Sequence, residues 1–146
     1  MSLRNRATIG VLIVLIVTFI AMRNQNKSDN EYFKNLDLNM KAIVSNTFEV
    51  NGSNGFDVVD VVVLSSNKYF HDPRGTYENY YCIIKNGLAE VYQLGGAQAS
   101  IGDTIEINTL TKRFTIKKAG GDIVEEIRIN SNGKYYEYLK EHYQKF

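Results

Sequence analysis

The run Ala7 to Met22, ATIGVLIVLIVTFIAM, leaves this chain the least freedom; Arg4 and Arg6 precede it and Arg23 comes directly after it. No charge interrupts it and no polar face runs along it, so it lacks the amphipathic stripe of a helix that packs on a water-soluble core. As a helix its 16 residues span roughly 24 Å, a little under the hydrocarbon thickness of a bilayer. Snorkelling Arg6 and Arg23 can cover the shortfall. The β-branched residues Ile9, Val11, Ile13, Val14, Ile16 and Val17 weaken a helix in water. In lipid, however, a strand leaves its backbone groups unpaired, so the helix prevails.

A secretory signal peptide shares this charged-then-apolar layout, and cleavage needs small residues at its site. Cutting after Ala21 places Phe19 where a small residue belongs, and cutting after Ile20 places a bulky side chain at the cut. Lipoprotein processing has no cysteine to use, because Cys82 lies far downstream. The expectation is therefore a short tail at 1–6 and an uncleaved transmembrane signal anchor at 7–23, with the lipid bilayer as its partner. Arg4, Arg6 and the amino terminus outweigh Arg23 and Lys27, which favours a cytoplasmic amino terminus and an exported carboxy-terminal domain.

Residues 24–37 read as a polar linker. Within it Ser28 and Glu31 have capping-box spacing, which predicts a short helix through Tyr32, Phe33 and Leu36. The remaining stretch, 38–146, is long enough for one domain with its own core. Beyond Arg23 the 16 acidic residues slightly outnumber the basic ones, so there is no electrostatic case for a nucleic-acid partner. Cys82 is the single cysteine; it excludes an intrachain disulfide and sits among apolar neighbours as a small buried hydrophobe.

From Leu38 the period becomes two. Leu38, Met40, Ala42 and Val44 alternate with Asn39, Lys41, Ile43 and Ser45 up to the turn residues Asn51–Gly55. Phe56 to Leu64 is valine-rich enough for a central strand. Tyr77–Lys85 and Leu88–Leu94 flank Asn86-Gly87, a hairpin signal because both residues tolerate positive φ. Further strands are read around Ile105 and Ile107, around Phe114 and Ile116, and from Ile123 to Ile129. The fold class read from this pattern is mainly β: an N-terminal single transmembrane helix, then a small antiparallel β-sandwich or barrel. In the terminal segment Lys134–Phe146, Tyr135, Leu139, His142 and Phe146 share one helical face, while Tyr136 and Tyr138 also fit a strand paired across Asn132-Gly133. The reading is a strand that hands over to a short C-terminal helix.

The search for chemistry yields few candidates. His71 and His142 are far apart with no cysteine near either, so no metal-ligand spacing exists. No Gly-x-Ser-x-Gly elbow is present, and Gly95-Gly96 starts neither a dinucleotide loop nor a phosphate cradle. Glu125 and Glu126 point to opposite faces of a strand, as do Asp57 and Asp60, and a solvated edge is the ordinary setting of such pairs. The 10 tyrosines suit sheet packing first and a protein surface second. Candidate binding residues are His71, Asp72 and Arg74, in the polar segment Ser65–Thr76, with Tyr136 and Tyr143 in the terminal stretch. No catalytic, cofactor or metal residue is assigned.

An amino-terminal anchor ahead of a small exported β-barrel resembles, in layout, the periplasmic haem chaperones of cytochrome c maturation. Their His-x-x-x-Tyr motif is missing, since four places after His71 stands Gly75 and four places after His142 stands Phe146, so no cofactor is carried over. The function expected is a non-catalytic, membrane-anchored interaction domain whose partners are other membrane or envelope proteins. The alternative is a tethered small-ligand-binding or enzymatic barrel built on the His71-Asp72-Arg74 loop.

Overall fold

The computed structural model describes residues 3–50, 52, 55–94, 98–130, 133–143 and 145–146, with backbone alone for 3–8 and Leu94. The Gly95-Gly96 pair, Asn132 and most of the Asn51–Gly55 turn lie outside the described residues. The chain divides into two units, Met1–Asn35 and Leu36–Phe146.

The first unit is carried by one helix, α1 (Leu3–Leu36). From Ile9 to Met22 its large apolar side chains are 44–66% exposed. By length and composition it is able to cross a membrane, with a mean hydropathy of 1.6. The Thr18 hydroxyl, the lone side-chain donor within the apolar run from Ile9 onward, is satisfied on the Val14 carbonyl at 2.8 Å. The helix does not stop at Arg23: it runs on to Leu36, so Tyr32, Phe33 and Leu36 are helical as read, but as a continuation of α1 and not as a separate helix starting at Ser28. Extending an existing helix adds one hydrogen bond per residue fixed, without a new nucleation cost. Nothing between Asn24 and Leu36 is Gly or Pro, and Gln25 bonds Asp29 one turn on at 2.9 Å. The stop comes at Asp37, in the left-handed region at φ 40°.

The second unit is a seven-stranded antiparallel sheet with a short helix. Its elements are β1 (Asn39–Glu49), β2 (Phe56–Ser66), β3 (Cys82–Lys85), β4 (Leu88–Leu94), β5 (Thr104–Asn108), β6 (Arg113–Lys117), β7 (Ile123–Glu126) and α2 (Gly133–His142). The spatial order is β3-β4-β2-β1-β5-β6-β7, so the valine-rich β2 is central, as its composition requires. Asn86 (φ 53°) and Gly87 (φ 77°) make the tight β3–β4 turn. Register breaks between Lys41/Ala42 and Val44/Asn46 bend the long β1–β2 pair.

One face of the sheet is the apolar core. Met40, Ala42 and Val44 lie beside Val59 and Val61 on one flank and Ile105, Ile107, Phe114 and Ile116 on the other, each at most 1% exposed. Glu125 of β7 bonds Gln93 of β4 and lies within the field of Asp57 of β2. The sheet therefore curls until its β7 end meets its β2–β4 half across the core. The seven strands form one continuous sheet, and no ladder joins β3 to β7 among the described residues.

The other face is half covered. α2 buries Tyr136 and Leu139, residues three apart on one side of the helix. Tyr136 meets the rings of Phe56, Tyr80 and Tyr92 at centroid distances of 5.4, 5.1 and 5.8 Å. The expected strand at the start of this segment is not formed: the helix takes all of Gly133–His142, because a strand would turn half of these aromatics away from the sheet. Cys82, fully buried, occupies the small apolar niche read from its neighbours.

Candidate functional site

Beneath α2 the covered face is not wholly apolar. Asp60 on β2 stands directly opposite Glu90 on β4, and both are buried, at 1% and 2% exposure. On β1, Asn46 is the register partner of Asp60. Alternation places this row between the aromatic row of Val58-Tyr92 and the more exposed row of Val62-Leu88. Two acidic side chains lie side by side in an apolar setting, an arrangement that costs several kcal/mol unless each charge is paired or neutralised.

Asp60 is paired from outside the sheet. Its Oδ2 accepts from the Tyr143 hydroxyl in a short hydrogen bond, from the Lys145 ammonium at 2.8 Å and from Asn46 Nδ2 at 3.3 Å. Burial pushes the Tyr143 phenol up, and the Asp60 contact adds to this, so Tyr143 keeps its proton at neutral pH and acts as a donor. Glu90 Oε2 accepts from the Tyr92 hydroxyl at 2.6 Å. Burial raises the Glu90 carboxyl above its ordinary value, and the Asp60 charge pushes the same way. Asp60 Oδ1 and Glu90 Oε1 are buried with no hydrogen-bond partner among the described residues.

Two spaces adjoin this cluster. An inner cavity of about 30 Å³ has Glu90, Tyr80, Tyr92, Tyr143, Lys145 and Arg74 in its wall, room for one water-sized group. An outer hollow of about 260 Å³ is lined by Asn46, Asp60, His142, Tyr143 and Lys145. Tyr143 and Lys145 line both spaces.

The loop candidates meet this site only in part. Arg74 reaches it, donating to the Phe146 carbonyl at 2.5 Å, and its fork also grips both oxygens of Asp72 at 2.8 and 2.6 Å. Lys85 joins Asp72 at 2.8 Å. The Arg74 hydrogen bond is the main reason the Asp72 carboxyl lies far below the usual carboxylate range. His71 pairs through its backbone with Ile84 on the β3 edge. It is not the solvated turn residue its polar neighbours suggest: Nε2 is buried without a partner among the described residues, and burial lowers its pKa. Arg74 and Tyr143 thus converge on one cavity, Tyr136 packs in the aromatic layer beside it, and His71 and Asp72 stay at the sheet edge.

Sequence reasoning missed Asp60 and Glu90. The available signal was Val58-Val59-Asp60-Val61-Val62: an acidic residue within β-branched neighbours on a central strand has both sheet faces near the core, so a solvated edge is not open to it. Asp57 on the opposite face, 1% exposed, corrects the same expectation.

Elsewhere Tyr69 and Phe70 stand out from the loop after β2, 87% and 67% exposed. The loop is anchored by Asn67, whose side chain bonds the Asp37 carbonyl at 2.7 Å and the Asn39 amide at 2.8 Å. The uncovered half of the sheet carries Lys41, Glu106, Lys117 and Asp122 in a chain of exposed ion pairs, each worth little in water. Among the described residues no three His, Cys, Asp or Glu side chains gather at metal-binding distance. Comparison with known proteins finds no matching family model, no matching curated protein and no matching solved structure.

Proposed function

We propose that this chain is a single-pass, membrane-tethered interaction protein: α1 holds it in the bilayer, and the β domain acts on the exported side by binding another membrane or envelope protein. The observation that carries the reading is the exposed apolar surface of α1 from Ile9 to Met22, which a bilayer covers and water penalises at about 25 cal/mol per Å². The positive-inside bias of Arg4 and Arg6 supports export of the domain. For the contact surface, Tyr69 and Phe70 are favoured over the Tyr-rich terminus, because Tyr136 and Leu139 are already buried against the sheet, whereas exposed aromatics are enriched at interfaces.

Two measurements test the reading. Full-length protein is expected to resist alkaline extraction from membranes, while the chain Leu36–Phe146, which starts where the second compact unit starts, is expected to be soluble and folded. A photo-crosslinking amino acid at Phe70 in native membranes is expected to capture a discrete protein partner, and the same group at exposed Leu110 is not. Alkaline release of the full-length chain ends the anchor reading; equal capture from both positions ends the assignment of the loop.

A further inference from the structure

The buried acidic pair has no role in the interaction reading, yet two adjacent buried carboxylates are costly to hold. On this cross-strand row the sheet supplies two carboxylates and no cation. The charge that answers Asp60 comes from Lys145, whose side chain is 39% exposed while that of Asp60 is 1% exposed. Lys145 therefore reaches inward from the rim, across the outer hollow of about 260 Å³, to a carboxylate fixed by the ladder. We propose that this hollow is a binding site for the ammonium group of a lysine side chain from a partner protein, filled here from within the chain by Lys145.

The chemistry selects an ammonium. Asp60 Oδ2 already accepts from Tyr143 and Asn46 and its Oδ1 is buried, so the two free in-plane oxygens that a guanidinium fork needs are missing. A compact point charge with rotatable donors fits better. The Tyr143 ring forms part of the wall and is held against Phe48 at 4.6 Å, and an aromatic wall favours a cation. Arg74 does not compete, since it is engaged by Asp72 and the Phe146 carbonyl. As a tethered ligand, Lys145 competes at an effective concentration on the order of millimolar. A free amine binds weakly, and a partner lysine succeeds when presented from a docked surface.

All the lining residues of the hollow belong to Leu36–Phe146, and the test uses the full chain in detergent micelles with n-butylammonium chloride as the probe. Calorimetric titration of Lys145→Ala is expected to show saturable binding roughly ten-fold tighter than to the unaltered chain. Adding Asp60→Asn weakens it at least ~ten-fold by removing the charge, and uncharged n-butanol does not bind. A second readout needs no variant: in the unaltered chain the Lys145 Cε resonance moves toward its solvent position as n-butylammonium saturates the site, and stays in place with sodium chloride at the same ionic strength. The proposal is overturned if n-butanol binds as well as the ammonium, if Asp60→Asn leaves binding unchanged, or if the Lys145 resonance ignores the probe.

Discussion

Tyr136 distinguishes a core tyrosine from a surface one, and the pair Tyr136→Phe and Tyr136→Ala measures the difference. The side chain is 1% exposed, and its hydroxyl donates to the Tyr80 carbonyl at 2.7 Å. Tyr136→Phe removes that bond and strands the carbonyl in a buried setting, a loss of about 1–3 kcal/mol. Tyr136→Ala also empties the space of a ring packed on Phe56, Tyr80 and Tyr92. Deleting a buried aromatic costs about 3–5 kcal/mol, a large share of the roughly 5–15 kcal/mol typical of a whole domain. Urea unfolding of the full chain in a mild non-ionic detergent gives both values from midpoint shifts at constant slope. Near-UV circular dichroism of tyrosine serves as the probe, since the chain has no tryptophan. The expected order is unaltered, then Phe, then Ala, with the second step the larger. If Tyr136→Ala unfolds within about 0.5 kcal/mol of the unaltered chain, as a surface substitution does, α2 does not dock as described and the reasoning fails.

Glu90→Gln is expected to stabilise the domain near neutral pH by roughly 1–3 kcal/mol: the amide oxygen keeps the Tyr92 bond, and the amide N–H can serve the partnerless Asp60 Oδ1. Because the folded Glu90 pKa is raised, its favourable contribution is complete below the unfolded value near ~4.3 and is lost as pH rises through the folded value. The gap between the two proteins should therefore close toward pH ~4, and a gap that widens on acidification contradicts the burial argument. Cys82, fully buried and pushed up to about 12, should resist iodoacetamide in the folded chain and react readily in urea; equal rates by mass spectrometry would show that the β3 edge opens freely. Gly87→Val should cost roughly 1–3 kcal/mol through its positive φ. A Cβ there meets nothing within 4 Å, and Asn86→Gly should be nearly neutral. Equal unfolding midpoints for these two variants would remove the strain from the explanation of the hairpin.

The sequence was most legible where one local rule had no competitor. An uncharged apolar run has one backbone form in lipid, and Asn86-Gly87 between apolar strands has one unstrained turn; both are as expected. Alternation from Leu38 placed Met40, Ala42 and Val44 on a single face, and that face is the core. Where two rules competed, the outcome needed the rest of the fold. The terminal tyrosines fit period two and period 3.6 alike, and the aromatic layer of Phe56, Tyr80 and Tyr92 decided for the helix. Residues 24–36 were polar enough for a linker, but they extend a helix that had already been nucleated.

By itself the sequence determined an apolar helix, a β domain without disulfides, and the order of its strands along the chain, because these arise from period, composition and turn chemistry within a few neighbours. Only the tertiary structure decided that Asp60 and Glu90 face each other and that Lys145 and Arg74 come to them from distant segments. Those pairings depend on register and curl between strands, and a buried charge shows in sequence as no more than one polar letter in an apolar strand.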